Sequence, residues 1–91
     1  MKAIAMRQTV TSRYNGEIYT LAPHALFERH GELFVQALNM GKSWKNDADR
    51  KLGQFKLAGL AAMELLDSNF EPLPIDVTGA LRQDDVLVMA V

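Results

Sequence analysis

The chain has 91 residues, of which 48% are hydrophobic, 8% aromatic and 23% charged, and its formal net charge is −1 at pH 7. This length has room for one domain with a core near the lower limit of independent stability, and the composition excludes an intrinsically disordered chain. The sequence has no cysteine, which excludes disulfides, thiolate metal sites and cysteine nucleophiles. We expect one cytoplasmic domain over residues 1–91.

The charges are unevenly distributed along the chain. Residues 1–60 contain nine Lys or Arg and five acidic residues, whereas residues 61–91 contain one and six. Half of the cations fall within fifteen residues, interleaved with aromatic and acidic residues: Lys42, Lys45, Arg50, Lys51 and Lys56. The pattern predicts an anion-binding patch for nucleotides or nucleic acid, in which a base stacked on an aromatic ring adds about 1–3 kcal/mol. A solvated charged loop is the alternative, which composition alone favours.

The first third of the chain predicts a short helix followed by a β-hairpin. Residues 1–7 form the helix, with Ala3, Ile4 and Met6 toward the core. Residues 9–14 and 17–21 form the strands, because Asn15-Gly16 between them tolerates the positive φ of a type I′ turn. Pro23 lacks an amide donor and indicates a strand edge, a bulge or a bend, after which residues 25–27 resume the strand.

A second turn and a central strand follow. His30-Gly31 marks the turn, and residues 33–40 alternate as a strand. Residues 40–49 form a loop that displays the basic patch.

The second half is harder to assign. Residues 52–66 fit both helical and strand periods. We expect a strand from about Gln54 and then a second element whose type stays open, although propensity favours a helix over residues 61–66. Residues 67–75 contain Asn69, Pro72 and Pro74 and read as a connection. Residues 86–91 predict a final strand, buried on both faces or paired at an edge.

Over about residues 1–72 the chain resembles the WYL domain. The segments that carry the resemblance stand in the family's order: Ala3-Ile4 in the first helix, Tyr14 ending the first strand, Pro23 after the second, Leu33-Phe34-Val35 for the Trp-Tyr-Leu triplet, Phe55-Lys56-Leu57 and Leu60 for the later Arg-Phe-Arg-Leu-Asp-Arg-Ile pattern, and Phe70-Glu71-Pro72 for a closing Phe-x-Pro. The chain departs from the pattern where Tyr19 replaces a common arginine, and where Ala58 and Gly59 replace an aspartate and an arginine.

The resemblance implies a mainly β fold with a short N-terminal helix, namely a small Sm-like or SH3-like partly open β-barrel. Its core would span about residues 1–72, and residues 73–91 would form an extension. WYL domains usually serve as the effector-sensing part of bacterial transcription regulators. The resemblance implies ligand contacts at Tyr14, Tyr19, Phe34 and Lys56, and composition adds Lys42, Trp44, Lys45 and Arg50. For the tyrosines and Phe34, a place in the core is the alternative.

No catalytic or metal motif accompanies these residues. His24 and His30 are the only histidines, and their spacing with the nearby glutamates resembles no familiar metal site. The sequence has neither a glycine-framed serine nor a phosphate-cradling glycine loop. No apolar run approaches the roughly 18 residues of a membrane span. We therefore expect no enzyme, no metal, no cofactor and no membrane partner.

Two functions remain open. The favoured one is a ligand-sensing regulatory module that binds a nucleotide or single-stranded nucleic acid. Because the sequence has no helix-turn-helix, such a module would act through a DNA-binding partner chain or as a homo-oligomer. The alternative is a structural or oligomerising barrel that binds no ligand and pairs chain to chain through residues 86–91.

Overall fold

The computed structural model describes residues 2–41, 50–74, 79 and 81–91. The elements follow in this order: α1 Lys2–Met6, β1 Gln8–Tyr14, β2 Glu17–Arg29, β3 Glu32–Asn39, β4 Gly53–Lys56, a 3₁₀-helix Leu57–Gly59, β5 Ala61–Asn69 and β6 Val86–Ala90. The fold is mainly β with one short helix over these residues, which confirms the predicted fold class. None of the helices described is long and apolar enough to cross a membrane.

The strands form one antiparallel sheet in the order β4-β3-β2-β1-β5, and β6 pairs with β2. The long strand β2 organises this sheet. Its first half pairs with β1 on one edge, its second half pairs with β6, and β3 pairs along the other edge. In the described part of the chain, β4 and β5 stand at the two ends of the path without pairing to each other. The sheet therefore agrees with a small, partly open barrel.

Both predicted hairpin turns are confirmed. Asn15 and Gly16 have φ values of 52° and 82°, and His30 and Gly31 have φ values of 52° and 80°. Two successive residues with positive φ give the turn twist that matches the right-handed twist of the flanking strands.

The predicted irregularity at Pro23 is a β-bulge. The pairing of β2 with β3 shifts between Pro23 and Ala25, so that His24 is an extra residue on β2. A bulge bends the strand locally and increases its twist. This bend is what lets β2 pair with β1 through one half and with β6 through the other.

The core lies between α1 and one face of the sheet. Ala3 and Ile4 are 1% exposed, as predicted, and pack with buried residues of β1, β2 and β3. Met6, also predicted to face the core, is 51% exposed, and that prediction was wrong. The helix has only five residues and ends at Arg7, which has a positive φ, so a single turn faces the core.

Residues 61–66, whose type the sequence left open although propensity favours a helix, form a strand, and the prediction that residues 67–69 are a connection was wrong. Both lie in β5, which pairs with β1. The pairing is irregular, but side-chain hydroxyls bridge it: Ser12 Oγ donates to the carbonyl oxygen of Ala61 at 2.9 Å, and the hydroxyls of Thr9 and Ser68 are hydrogen-bonded. Pairing with an existing strand edge outweighs helix propensity, which is a weak local preference.

The predicted final strand exists, and it is paired at an edge. β6 pairs with residues 25–28 of β2, while Val86, Leu87 and Val88 are 58%, 39% and 52% exposed. The alternative of a strand buried on both faces is therefore excluded.

Candidate functional site

Strand alternation separates the predicted ligand residues into two groups. Successive side chains of a strand point to opposite faces, so Phe55 and Lys56 of β4 do not share a surface. Phe55 packs against the core with Tyr14 and Tyr19. Lys56 lies opposite Phe34 in the β3–β4 pairing, so these two side chains share the other face. The tyrosines and Lys56 therefore do not form one site.

The tyrosines form an aromatic cluster around Phe55. The ring centroids of Tyr14 and Tyr19 lie 5.2 and 6.0 Å from that of Phe55. The Tyr19 hydroxyl donates a hydrogen bond of 3.1 Å to Glu17 Oε2, and this hydrogen bond to a carboxylate raises the pKa of Tyr19. Edge-to-face and tilted contacts of this kind contribute to packing beyond the area that they bury.

Gly59 is the position on which the Tyr14 ring rests. A Cβ atom at residue 59 would lie 2.8 Å from Cε1 of Tyr14. An arginine, which the WYL pattern has here, does not fit unless Tyr14 moves. The presence of glycine instead of arginine at position 59 therefore allows the position of the Tyr14 ring.

The second group lies on the sheet face opposite the core cluster. We call it the Phe34 face, and the register of β2, β3 and β4 assigns to it Phe27, Arg29, Phe34, Gln36, Gln54 and Lys56. The rings of Phe27 and Phe34 are stacked, with centroids 5.4 Å apart and planes inclined by 12°. Phe27 is fully buried and Phe34 half-buried, so the face combines a largely covered aromatic pair with amide and cationic groups.

Arg29 is the most strongly engaged cation of the Phe34 face. Its guanidinium carbon lies 5.1 and 5.2 Å from the ring centroids of Phe27 and Phe34, within cation–π distance. Nε and Nη2 donate to the two carboxylate oxygens of Asp85 at 2.8 and 2.7 Å, and Nη1 donates to Gln54 Oε1 at 3.3 Å. This is the bidentate fork geometry with which arginine binds carboxylates and phosphates.

Asp85 reaches Arg29 from the segment that precedes β6. Its side chain is 0% exposed, and its Oδ2 also accepts a hydrogen bond of 2.8 Å from the backbone N–H of Arg82. The hydrogen bonds from Arg29 lower the pKa of Asp85 to about 2, with help from the Arg82 amide. The carboxylate is therefore ionised at neutral pH and held at the end of the Phe34 face.

Gln36 is the unusual residue of the Phe34 face. Its side chain is buried, with the residue 1% exposed, and among the described residues neither Oε1 nor Nε2 has a hydrogen-bond partner. Buried polar atoms in folded proteins are almost always hydrogen-bonded, because an unmade hydrogen bond costs about 1–3 kcal/mol. A buried amide with a free donor and a free acceptor fits a site that receives a ligand or water.

An open groove lies at the end of the sheet next to Lys56. Its lining comes from the β2–β3 turn and from the 3₁₀-helix: Gly31, Glu32, Leu33, Leu57 and Ala58. Its volume of about 420 Å³ is within the range of small-molecule pockets. Lys56 Nζ lies 3.4 Å from Glu32 Oε2, with both side chains exposed, so a cation stands at the border of the groove.

His24 holds the C-terminal part of the chain at the β2 bulge. Its ring lies 5.0 Å from that of Phe70, and its Nε2 accepts the backbone N–H of Leu73 at 3.0 Å. Its carbonyl oxygen accepts the N–H of Val91 at 2.9 Å. The described parts of residues 70–91 are therefore held to β2 by the side chains of His24 and Arg29 as well as by the backbone pairing of β6.

The remaining predicted site residues are not placed on the Phe34 face by the described part of the structure. Lys42, Trp44 and Lys45 lie outside the described residues, as does most of the predicted loop. Arg50 is half-buried and precedes β4. No three His, Asp or Glu side chains are arranged to hold a metal ion in the part of the chain that the structure describes.

Sequence reasoning missed Arg29, Gln36 and Asp85. The sequence indicates Arg29 only weakly: it lies two residues after Phe27 in an alternating strand, so the two side chains share a face. The bond to Asp85 spans 56 positions and has no sequence signal.

Comparison of the chain with protein-family models, curated proteins and solved structures finds no match. The resemblance to WYL domains therefore rests on the order of the segments quoted above.

Proposed function

We propose that this protein is a non-enzymatic, ligand-sensing regulatory module that binds a nucleotide or single-stranded nucleic acid through the Phe34 face. The observation that carries the proposal is the buried Gln36 amide, which lacks hydrogen bonds on the same face as Phe34, Lys56 and Arg29. The partly open small barrel and the resemblance to WYL domains support a regulatory role, in which a DNA-binding partner chain or a homo-oligomer would carry the response.

The chemistry of Gln36 suits a nucleobase. A glutamine amide presents one donor and one acceptor side by side, which is the arrangement that reads the edge of an adenine in two hydrogen bonds. The half-buried Phe34 ring two residues away supplies an apolar surface against which a base can stack. Because the amide is buried in the unliganded protein, a base would reach it only after the covering groups move, and it would then satisfy both amide atoms.

The cations suit a phosphate group. Lys56 lies across the strand pair from Phe34 at the border of the 420 Å³ groove, and Arg29 lies over the Phe34 ring. A phosphate neutralised by such side chains adds affinity that falls as salt rises. The base and the phosphate of a nucleotide would thus each have a counterpart on the Phe34 face.

The first test is titration of a labelled single-stranded oligonucleotide, followed by fluorescence anisotropy at low and high salt, with unlabelled mononucleotides as competitors. We expect saturable binding that weakens with salt and is reduced in Lys56→Ala. Stability should be nearly unchanged in that variant, since exposed ion pairs contribute about 0–1 kcal/mol.

The matched control is Lys51→Ala, which removes an exposed cation that precedes β4 and is not part of the Phe34 face. Equal losses in the two variants would indicate nonspecific charge attraction and would remove Lys56 from the site. No binding at protein concentrations up to about 100 μM, where nonspecific nucleic-acid binding is already expected, would contradict the proposed function.

A second candidate function is oligomerisation through β6. Three successive apolar residues of this strand, Val86, Leu87 and Val88, are exposed. Within the described residues β6 pairs only with β2. An apolar edge strand is a template for pairing with another chain.

Analytical ultracentrifugation tests this second candidate. If β6 pairs between copies, the wild-type protein sediments as a dimer and Val88→Lys shifts it toward the monomer. A wild-type protein that stays monomeric across a hundredfold range of concentration would exclude it.

A further inference from the structure

We propose that Arg29 is the phosphate-binding residue of the Phe34 face, and that Asp85 of the same chain occupies its site as a tethered competitor. This inference rests on the function proposed above and names how that site is regulated. The C-terminal segment would then be a latch that a nucleotide phosphate must displace.

The geometry at Arg29 matches that of a phosphate site. The guanidinium is held against the rings of Phe27 and Phe34 and offers two parallel N–H groups to the Asp85 carboxylate. A phosphate oxygen pair accepts the same fork of donors. Asp85 therefore has the position and the charge that a phosphate would have.

The buried amide of Gln36 supports the same conclusion independently of the geometry at Arg29. Gln36 lies opposite Gln54 in the β3–β4 pairing, and Gln54 accepts a hydrogen bond from Arg29. In the latched arrangement the anion site is filled while the neighbouring amide has no partner. This is expected if Asp85 replaces only the anionic part of a ligand, since a carboxylate has no base to offer to Gln36.

The start of β6, next to Asp85, is held to β2 by backbone pairing rather than by apolar packing. Asp85 is followed directly by β6, whose Val86, Leu87 and Val88 are exposed and therefore bury little apolar surface. Segments with few buried apolar contacts open at low free-energy cost. Exchange of Asp85 for a phosphate would free the start of β6.

The latch lowers the apparent affinity for a ligand, because only the fraction of molecules in which Arg29 is free can bind; the apparent affinity equals the intrinsic affinity multiplied by that fraction. If Arg29 is free in one molecule out of ten, the apparent dissociation constant is about tenfold weaker than the intrinsic one. Asp85→Asn removes the competing charge. We expect this variant to bind adenosine 5′-monophosphate about tenfold more tightly than the wild type.

The matched control is Asp84→Asn, which changes the net charge by the same amount at an exposed neighbouring residue. Its affinity should stay within about twofold of the wild type, since exposed charges are largely screened by salt. The double variant Arg29→Gln, Asp85→Asn should lose the gain. Adenosine without phosphate should bind equally to the wild type and to Asp85→Asn.

A second pair of probes distinguishes the phosphate of a free nucleotide from the phosphate at a nucleic-acid end. A short oligoadenosine with a 5′-phosphate is compared with the same oligonucleotide without it. A gain in Asp85→Asn for the mononucleotide alone identifies a free nucleotide, and a gain for the phosphorylated oligonucleotide identifies a nucleic-acid end.

Hydrogen exchange of the wild-type protein provides a readout that does not depend on the folding of a variant. Saturating adenosine 5′-monophosphate should increase amide exchange in residues 86–90, although ligands usually protect the segments that they contact. Faster exchange there supports the latch. Unchanged or slower exchange, or equal affinities of Asp85→Asn and Asp84→Asn, overturns the latch but leaves the proposed function standing. Absence of binding by every variant overturns both.

Discussion

Nε2 of His24 accepts a hydrogen bond of 3.0 Å from the backbone N–H of Leu73, 49 residues away. This bond fixes the tautomer of the ring, because a nitrogen that accepts an N–H carries no proton itself. Nδ1 is therefore protonated and donates to the carbonyl oxygen of Ala22 at 2.7 Å. Burial lowers the pKa of His24 below its ordinary value of 6.5, although the hydrogen bond to Ala22 opposes the shift.

The first prediction is that the protein loses stability in mild acid. The unfolded chain takes up a proton at His24 near pH 6.5, whereas the folded protein resists it. The free energy of unfolding should be level above pH 6.5 and should fall as the pH drops from there toward the lower pKa of the folded state. Urea denaturation between pH 8 and pH 5 measures this.

The matched variants separate the two histidines. His24→Gln keeps an acceptor for Leu73 but does not titrate, so the decline between pH 6.5 and pH 5 should flatten. His30→Gln changes an exposed residue of a turn and should leave the decline in place. A decline that persists in His24→Gln would contradict the assignment.

The second prediction concerns Gln36. Gln36→Met removes an amide that makes no hydrogen bond and keeps nearly the same volume, so it should stabilise the unliganded protein by about 1 kcal/mol. The same change should weaken nucleotide binding if the amide reads a base. Thermal denaturation and the anisotropy titration measure the two effects.

Gln54→Met is the comparison for this prediction. The Gln54 Oε1 accepts a hydrogen bond from Arg29, so its replacement should give no such stabilisation. Loss of stability in Gln36→Met would indicate that the amide is satisfied in solution by bound water.

The third prediction concerns Ala62 in β5. Ala62 has a φ of 51°, in the left-handed region that costs a residue with a Cβ about 1–2 kcal/mol. Ala62→Gly should therefore stabilise the protein by about 1 kcal/mol, as measured by urea denaturation. The neighbouring Ala61→Gly should destabilise it, because glycine in an ordinary strand position only adds conformational freedom to the unfolded chain. Equal effects at both positions would show that the left-handed conformation is absent in solution.

The fourth prediction concerns the contact between Gly59 and Tyr14. Gly59→Ala places a Cβ 2.8 Å from Tyr14 Cε1, so the ring must move away from Phe55. We expect a loss of about 1–3 kcal/mol, the usual cost of overpacking, together with a change in the near-ultraviolet circular dichroism of the tyrosines.

Tyr14→Leu in the Gly59→Ala background tests this explanation. The loss from Gly59→Ala should be smaller there than in the wild type, because the clashing ring atoms are gone. Additive losses would show that the two residues do not interact.

The sequence by itself determined the features that depend on neighbouring residues. Asn15-Gly16 and His30-Gly31 stand between alternating segments, where residues that tolerate positive φ favour a turn, so both hairpins were predictable. Pro23 lacks an amide donor and therefore indicated an irregularity in its strand. The same local information identified Ala3 and Ile4 as the buried side of α1. The resemblance to WYL domains singled out Phe34 and Lys56 as candidate site residues, although not the fact that they share a face.

Only the tertiary structure decided the elements and contacts that depend on distant partners. The local pattern of residues 52–66 fits a helix and a strand alike, and propensity favours a helix over residues 61–66. Pairing with the edge of β1 makes residues 61–69 a strand, because backbone groups that pair across strands outweigh a propensity difference of a few tenths of a kcal/mol per residue. Arg29 and Asp85 are 56 positions apart, and the burial of Gln36 follows from strand register. Local sequence sets turns and periodicity, whereas the position of a charge or an amide in a site depends on which strands meet.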